Sequence, residues 1–131
     1  MAGYSGTPLT QKLGIQPGFV VAILNAPPDF SLDLPDGVTV RSRLAGHMDV
    51  AMLFTTERAR LERRITALGR AVAPSGSIWV AWPKKAAGVA TDMTEDVVRQ
   101  VVLPLGLVDT KVAAIDDVWS GLKVVWRLSR R

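Results

Sequence analysis

The apolar positions of this chain fall into runs of two kinds. Phe19-Val20-Val21-Ala22-Ile23-Leu24 is unbroken, and Asp49 to Phe54 and Ser77 to Trp82 are apolar after their first residue. Short runs of this kind, rich in branched and aromatic residues, bury both faces and predict central strands of a parallel sheet. Val38 to Arg41 predicts one more strand. Between Thr56 and Val72 the period changes. Leu61, Ile65, Leu68 and Val72 recur every three or four residues, the spacing of one helical stripe. Arg58, Glu62, Arg63 and Arg70 fall on the opposite face, which is expected to meet water.

Turn residues punctuate these runs. Thr7 followed by Pro8 reads as a helix cap with proline at the first helical position, and Gly14 as the stop of a short helix over 8–13. Pro17-Gly18 is a turn. Ala26 to Pro35 is too rich in proline for a long helix, because proline lacks the backbone donor and clashes with the preceding turn. Pro74-Ser75-Gly76 leads into the strand at Ser77. Asp92 with Glu95 resembles a capping box, opening a helix that buries Val97, Val98, Val101, Val102 and Leu105 and ends at Pro104 and Gly106. Leu107 to Ile115 and Leu122 to Leu128 predict a final antiparallel pair, joined by Asp116 to Gly121. Strands alternating with helices imply parallel pairing through right-handed crossovers. The predicted fold is therefore α/β: a three-layer, Rossmann-like domain with a mostly parallel sheet of about six strands that ends in an antiparallel pair.

Composition narrows the class. A chain of 131 residues fits one domain, here 1–131, with no repeat or linker dividing it. Hydrophobic residues make up 48% and charged residues 21%, too apolar a balance for disorder. The absence of cysteine excludes disulfides, and His47 as the single histidine leaves zinc without its usual nitrogen and sulfur ligands. Phe19 to Leu24 falls far short of the ~20 residues of a membrane helix. Met1 to Thr7 has neither the basic nor the apolar region of a leader, so a cytoplasmic protein is expected. The net charge of +4 is spread along the chain without interleaved aromatic residues. A solvated surface is favoured over a nucleic-acid patch.

Several stretches resemble class I methyltransferases. Leu13-Gly14-Ile15-Gln16-Pro17-Gly18 is similar to the lead-in of that superfamily's first motif. Arg70-Ala71-Val72-Ala73-Pro74-Ser75-Gly76-Ser77 resembles its arginine-x-leucine-x-proline-glycine-glycine segment, and Gly106-Leu107-Val108 with two following strands resembles its ending. Over nearly the whole chain the sequence also resembles a family of small bacterial proteins catalogued as domain of unknown function 3052. That resemblance rests on Gly3-Tyr4-Ser5-Gly6-Thr7-Pro8-Leu9, Ala81-Trp82-Pro83-Lys84-Lys85 and Trp119-Ser120-Gly121-Leu122, and it implies no activity.

The methyltransferase resemblance implies S-adenosylmethionine as cofactor, yet the chain departs from that pattern in three places. After the first strand the superfamily has a glycine loop whose bare backbone passes under the cofactor. Here the segment reads Leu24-Asn25-Ala26-Pro27-Pro28. Where the second strand should end near an acid for the ribose hydroxyls, Arg41, Ser42 and Arg43 follow. Phe54-Thr55-Thr56 replaces the Asn/Asp-Pro-Pro-aromatic signature of amino-methyltransferases. No cofactor and no conventional methyl transfer are expected.

Ligands of open α/β sheets bind beyond the carboxyl ends of the strands, at the switch point of strand order. That crevice is expected to be lined by Asn25 and Ala26, by Thr55, and by Trp82-Pro83-Lys84-Lys85. Lys84 and Lys85 are candidates for holding a small anion, helped by the positive end of a helix starting near Thr91. A solvated basic loop is the alternative. Trp82 is placed to stack on a planar ligand or to pack in the core. Trp119, read as part of the last turn, either anchors a protein partner or folds back over the sheet. Gly88 reads as a turn rather than the hinge of a lid. No Gly-x-Ser-x-Gly elbow is present, His47 reads as a loop histidine, and the acids near 92–96 and 116–117 suit a helix start and a turn. The expected function is a non-catalytic small-ligand-binding or regulatory module on a degenerate methyltransferase-like scaffold. The alternatives are an enzyme using S-adenosylmethionine or another cofactor, and a structural subunit that self-associates, as a homodimer, through Trp119 or the last strand.

Overall fold

A computed structural model describes residues 8–131. The cap assigned to Thr7 lies outside the described residues, as does most of the Gly3–Leu9 stretch. A one-turn helix, α1 (Leu9–Lys12), precedes β1 (Val20–Leu24), β2 (Thr39–Arg41), β3 (Val50–Phe54), α2 (Arg58–Val72) and β4 (Ser77–Pro83). Then follow α3 (Glu95–Val102), β5 (Leu107–Ala114) and β6 (Trp119–Trp126). All strands join one six-stranded sheet in the order β2-β1-β3-β4-β6-β5. The first four pair in parallel, while β6 runs antiparallel to both β4 and β5. The chain steps from β1 outward to β2 and then returns to the other side of β1 as β3. The switch of strand order therefore falls between β1 and β3, whose carboxyl ends are Leu24 and Phe54.

Strand alternation divides the core between the two faces of the sheet. Leu24, Leu53, Val80, Trp82 and Leu122 pack with the stripe of α2 and with Val98 and Val102 of α3. Val21, Met52, Phe54 and Trp79 pack on the other face, covered by Leu13 and Ile15 beside α1 and by Phe30 and Leu32 of the proline-rich segment. Each large side chain buried in this way contributes roughly 1.5–3 kcal/mol. The second outer layer is thus mostly irregular chain, fastened by the Trp79 indole donating to Leu13 O (3.1 Å) and the Thr10 hydroxyl donating to Asp33 O (2.7 Å). The order of elements, the parallel pairing and the closing antiparallel pair match the sequence reading.

Three local expectations are corrected. Asp92 does not open α3. Thr94 is its N-cap, with the hydroxyl oxygen accepting from Val97 N (3.1 Å). Asp92 instead accepts from Arg58 N (2.7 Å), at the start of α2. Trp119 is not part of the last turn: it opens β6, and the turn spans Ile115 to Val118, closed by Asp116 Oδ1 accepting from Val118 N and Trp119 N. The last strand is not an edge, because β6 lies between β4 and β5; the free edges are β2 and β5. Among the described residues no helix is long and apolar enough to cross a membrane.

Candidate functional site

The carboxyl ends of β1 and β3 are tied together rather than parted. Asn25, directly after β1, adopts a left-handed conformation with φ of 60°. Asparagine tolerates this region better than other residues with side chains. The turn aims its amide at the neighbouring strand, where Nδ2 donates to Phe54 O (2.8 Å). Thr55 continues the ladder, its backbone N–H donating to Ala81 O (2.9 Å). Its buried hydroxyl accepts from Glu57 N (2.9 Å) and donates to Glu57 O (3.0 Å). Both polar side chains expected to face a ligand here bond to the protein's own backbone, Thr55 from a buried position and Asn25 from an exposed one.

The remaining candidates separate. Trp82 is 6% exposed and turned into the helix-side core beside Met93, so it does not line a crevice with the lysines. Lys84 is half-buried, with its backbone N–H donating to Val118 O (2.7 Å); Lys85 is exposed and begins a single 3-10 turn ending at Gly88. Among the described residues the ion pairs involve only His47, Arg58 and Arg99 as cations, so neither lysine has a carboxylate partner. The helix that was to assist them starts at Glu95, well past Thr91, whose hydroxyl donates to Thr56 O (2.7 Å). Trp119 packs edge-on against Phe54 (5.2 Å between ring centroids), and Phe54 in turn meets Phe30 at 4.8 Å. This half-buried tryptophan folds back over the sheet instead of projecting from a loop tip. Gly88 and His47 match their structural readings, the first at positive φ closing the 3-10 turn, the second an exposed loop residue 3.5 Å from Asp49.

Sequence reasoning missed an open space at this end of the molecule. A cavity of about 300 Å³ lies between the ends of β1 and β2 and the proline-rich segment, lined by Ile23, Ala26, Phe30, Leu32, Val40 and Arg41 among others. It is at the small end of the range for ligand sites, and its walls are mostly apolar, with Ser31, Arg41 and Ser42 as the polar exceptions. The only available signal was the alternation of Phe30, Leu32 and Leu34 within a segment otherwise read as loop.

The site does not fit an adenosyl group lying against the first turn. The turn after β1 presents Asn25 and the side chain of Ala26 where bare backbone is needed. Pro27 and Pro28 have no N–H to offer, and an arginine replaces the acid at the end of β2.

No family model matches the sequence, and neither does any curated protein. Solved structures match over most of the chain. It is similar to a SAM-dependent methyltransferase from Aquifex aeolicus with a TM-score of 0.63 and 11% identity, covering 88% of this chain and 86% of that one. It is similar to magnesium protoporphyrin IX methyltransferase from Synechocystis PCC 6803 with bound SAH, at a TM-score of 0.60 and 10% identity over 85% and 75% of the two chains. A structure described as a pericyclic reaction enzyme matches with a TM-score of 0.56 and 12% identity, over 91% of this chain and 39% of that one. At such identities a likeness speaks for the fold and not for the chemistry. The chain has the methyltransferase-like Rossmann fold.

Proposed function

We propose that this protein is a non-catalytic ligand-binding or interaction module on a methyltransferase-like scaffold, and that it belongs with the small bacterial family of unknown function that it resembles. The observation that carries this reading is the hydrogen bond from Asn25 to Phe54 O, which closes the switch point where the scaffold would open for a nucleotide. Lys84 and Lys85, which pair with no carboxylate among the described residues, remain the candidates for an anionic ligand or an acidic partner at this end.

The second reading is an enzyme that uses S-adenosylmethionine. It is favoured by the solved methyltransferases that share the fold, one of them with SAH bound. Calorimetric titration with S-adenosylmethionine and S-adenosylhomocysteine separates the two. No heat at millimolar ligand supports the binding module. Micromolar binding overturns it in favour of the enzyme. A Lys84→Ala/Lys85→Ala double variant that keeps its full thermal response to polyanions counts against the lysine pair as the binding element.

A further inference from the structure

A second and larger open space lies away from the carboxyl ends of the strands. A cavity of about 620 Å³ opens at their amino ends, on the α1 side of the sheet, and its lining includes Asp49, Ser75, Ser77, Thr110, Lys123 and Arg131. Three features of the sequence create it. α1 is a single turn and cannot cover the sheet down to its lower edge. Pro74-Ser75-Gly76 brings the chain into β4 through a tight turn. An extra residue near Thr110 shifts the register of β5 against β6 between Asp109 and Lys111.

The polar groups on this surface are unusual for their position. Lys123 is opposite Trp79 across the β4–β6 ladder, so it shares the buried face with that tryptophan. It is a half-buried lysine on an interior strand, pairs with no carboxylate among the described residues, and its ammonium lies over Gly14, 3.9 Å from where a side-chain carbon there would stand. Ser77 belongs to the same face by strand alternation. Of the three buried polar residues, Thr10 and Thr55 spend their hydroxyls on backbone groups; Ser77, only 7% exposed, makes no side-chain hydrogen bond among the described residues. No buried side-chain polar atom among the described residues lacks a partner, so the Ser77 hydroxyl is not sealed in the core but opens onto the cavity it lines. Asp49, the acid of the lining, is already engaged: Oδ2 accepts from Val20 N (2.8 Å) and Oδ1 lies 3.5 Å from His47. Lys123, Arg131 and three hydroxyls thus line a space in which Asp49 is the one acidic side chain; Arg131 already donates from Nε to Trp126 O (2.9 Å) and has its terminal nitrogens left for a ligand.

We propose that this cavity is a binding site for a small polar metabolite carrying an oxyanion, a phosphate ester or a carboxylate. Its charged group is held by Lys123, with Ser77 donating to an anionic oxygen and Arg131 closing the mouth. Ser75 and Thr110 meet the hydroxyl groups of the ligand body. The site is independent of the carboxyl-end reading above, because it shares no residue with Asn25, Thr55, Lys84 or Lys85.

The test is a titration of the isotopically labelled protein with inorganic phosphate, ribose 5-phosphate and gluconate at constant ionic strength, followed by amide and lysine side-chain NMR. The expected result is saturable shifts at Ser75 to Ser77, Thr110 and Lys123 with at least one of the probes; phosphate and gluconate distinguish the two kinds of oxyanion. Lys123→Gln should weaken binding roughly tenfold, as loss of one charge-assisted hydrogen bond does. Lys84→Ala/Lys85→Ala should leave it unchanged. Ser77→Ala, a smaller change, serves as the second variant if Lys123→Gln fails to fold, and should also weaken binding. Absence of shifts at these residues at millimolar ligand, equal affinity in the Lys123 or Ser77 variant, or shifts confined to Lys84 and Lys85 overturns the proposal.

Discussion

The side-chain amide of Asn25 donates to the carbonyl of Phe54 at 2.8 Å, joining the ends of two adjacent parallel strands where the strand order reverses. Asn25 has two duties there, holding a left-handed backbone and supplying the donor. Asn25→Gly removes only the hydrogen bond, at about 1 kcal/mol. Asn25→Ala loses the bond and also strains the backbone, adding about 1 kcal/mol more. Urea unfolding should rank alanine as clearly the worse variant; equal midpoints would contradict the role given to the left-handed turn.

Asp92 and Thr94 cap different helices although they are two residues apart. Asp92→Ala should cost about 1 kcal/mol and expose the first amides of α2, beginning at Arg58, to hydrogen exchange. Thr94→Ala should cost a similar ~1 kcal/mol while exposing Val97 at the start of α3. Exchange that rises at α3 in the Asp92 variant contradicts the assignment.

Gly69, within α2, lies directly under the ring of Trp126 from β6. The Trp126 indole donates to Gly69 O (2.9 Å), and its ring leaves only 2.9 Å for a side-chain carbon at Gly69. Alanine gains about 1 kcal/mol of helix propensity but forces the tryptophan outward, for a net loss of roughly 1–3 kcal/mol. Combining Gly69→Ala with Trp126→Phe should recover part of that loss. Strict additivity of the two changes in a double-mutant cycle would show that the contact is not what excludes the methyl group.

Arg99 clasps α3 to β5 through Asp109, aided by Glu95 and Asp96. The hydrogen bond to Asp109, then that to Glu95, raise its pKa above the ordinary arginine value. A base whose folded pKa is raised contributes stability that is complete below its unfolded pKa and lost only above its folded one. Both lie far above neutrality, so titration of the Arg99 guanidinium itself should add no pH dependence to stability in the neutral range. Arg99→Met should lower the melting temperature, and the deficit should shrink as salt rises, because the group is partly exposed and screened. A deficit independent of salt would assign the loss to packing.

Much of this architecture was legible in the chain. The unbroken runs Phe19–Leu24, Asp49–Phe54 and Ser77–Trp82 specify buried parallel strands, and the stripe Leu61, Ile65, Leu68, Val72 specifies the one long helix. Period and burial are properties of neighbouring residues, so a linear reading recovers them. The break in the glycine pattern at Asn25 to Pro28 was legible too, since the need for bare backbone is local. Other features depended on partners distant in sequence. Nothing near Asp92 indicates that its carboxylate will reach Arg58, 34 residues earlier. The spacing of the last two strands does not say that the final one inserts between β4 and β5, which removes it as an edge and lays Trp119 on Phe54. Lys123 reads as one basic residue among many until strand pairing sets it opposite Trp79, in one cavity wall with Ser77. The sequence determined which segments are strands and helices and which faces they bury, because those follow from side-chain period. Tertiary packing alone decided which polar groups are satisfied and which are left facing a cavity, because a hydrogen-bond partner is a matter of distance in space.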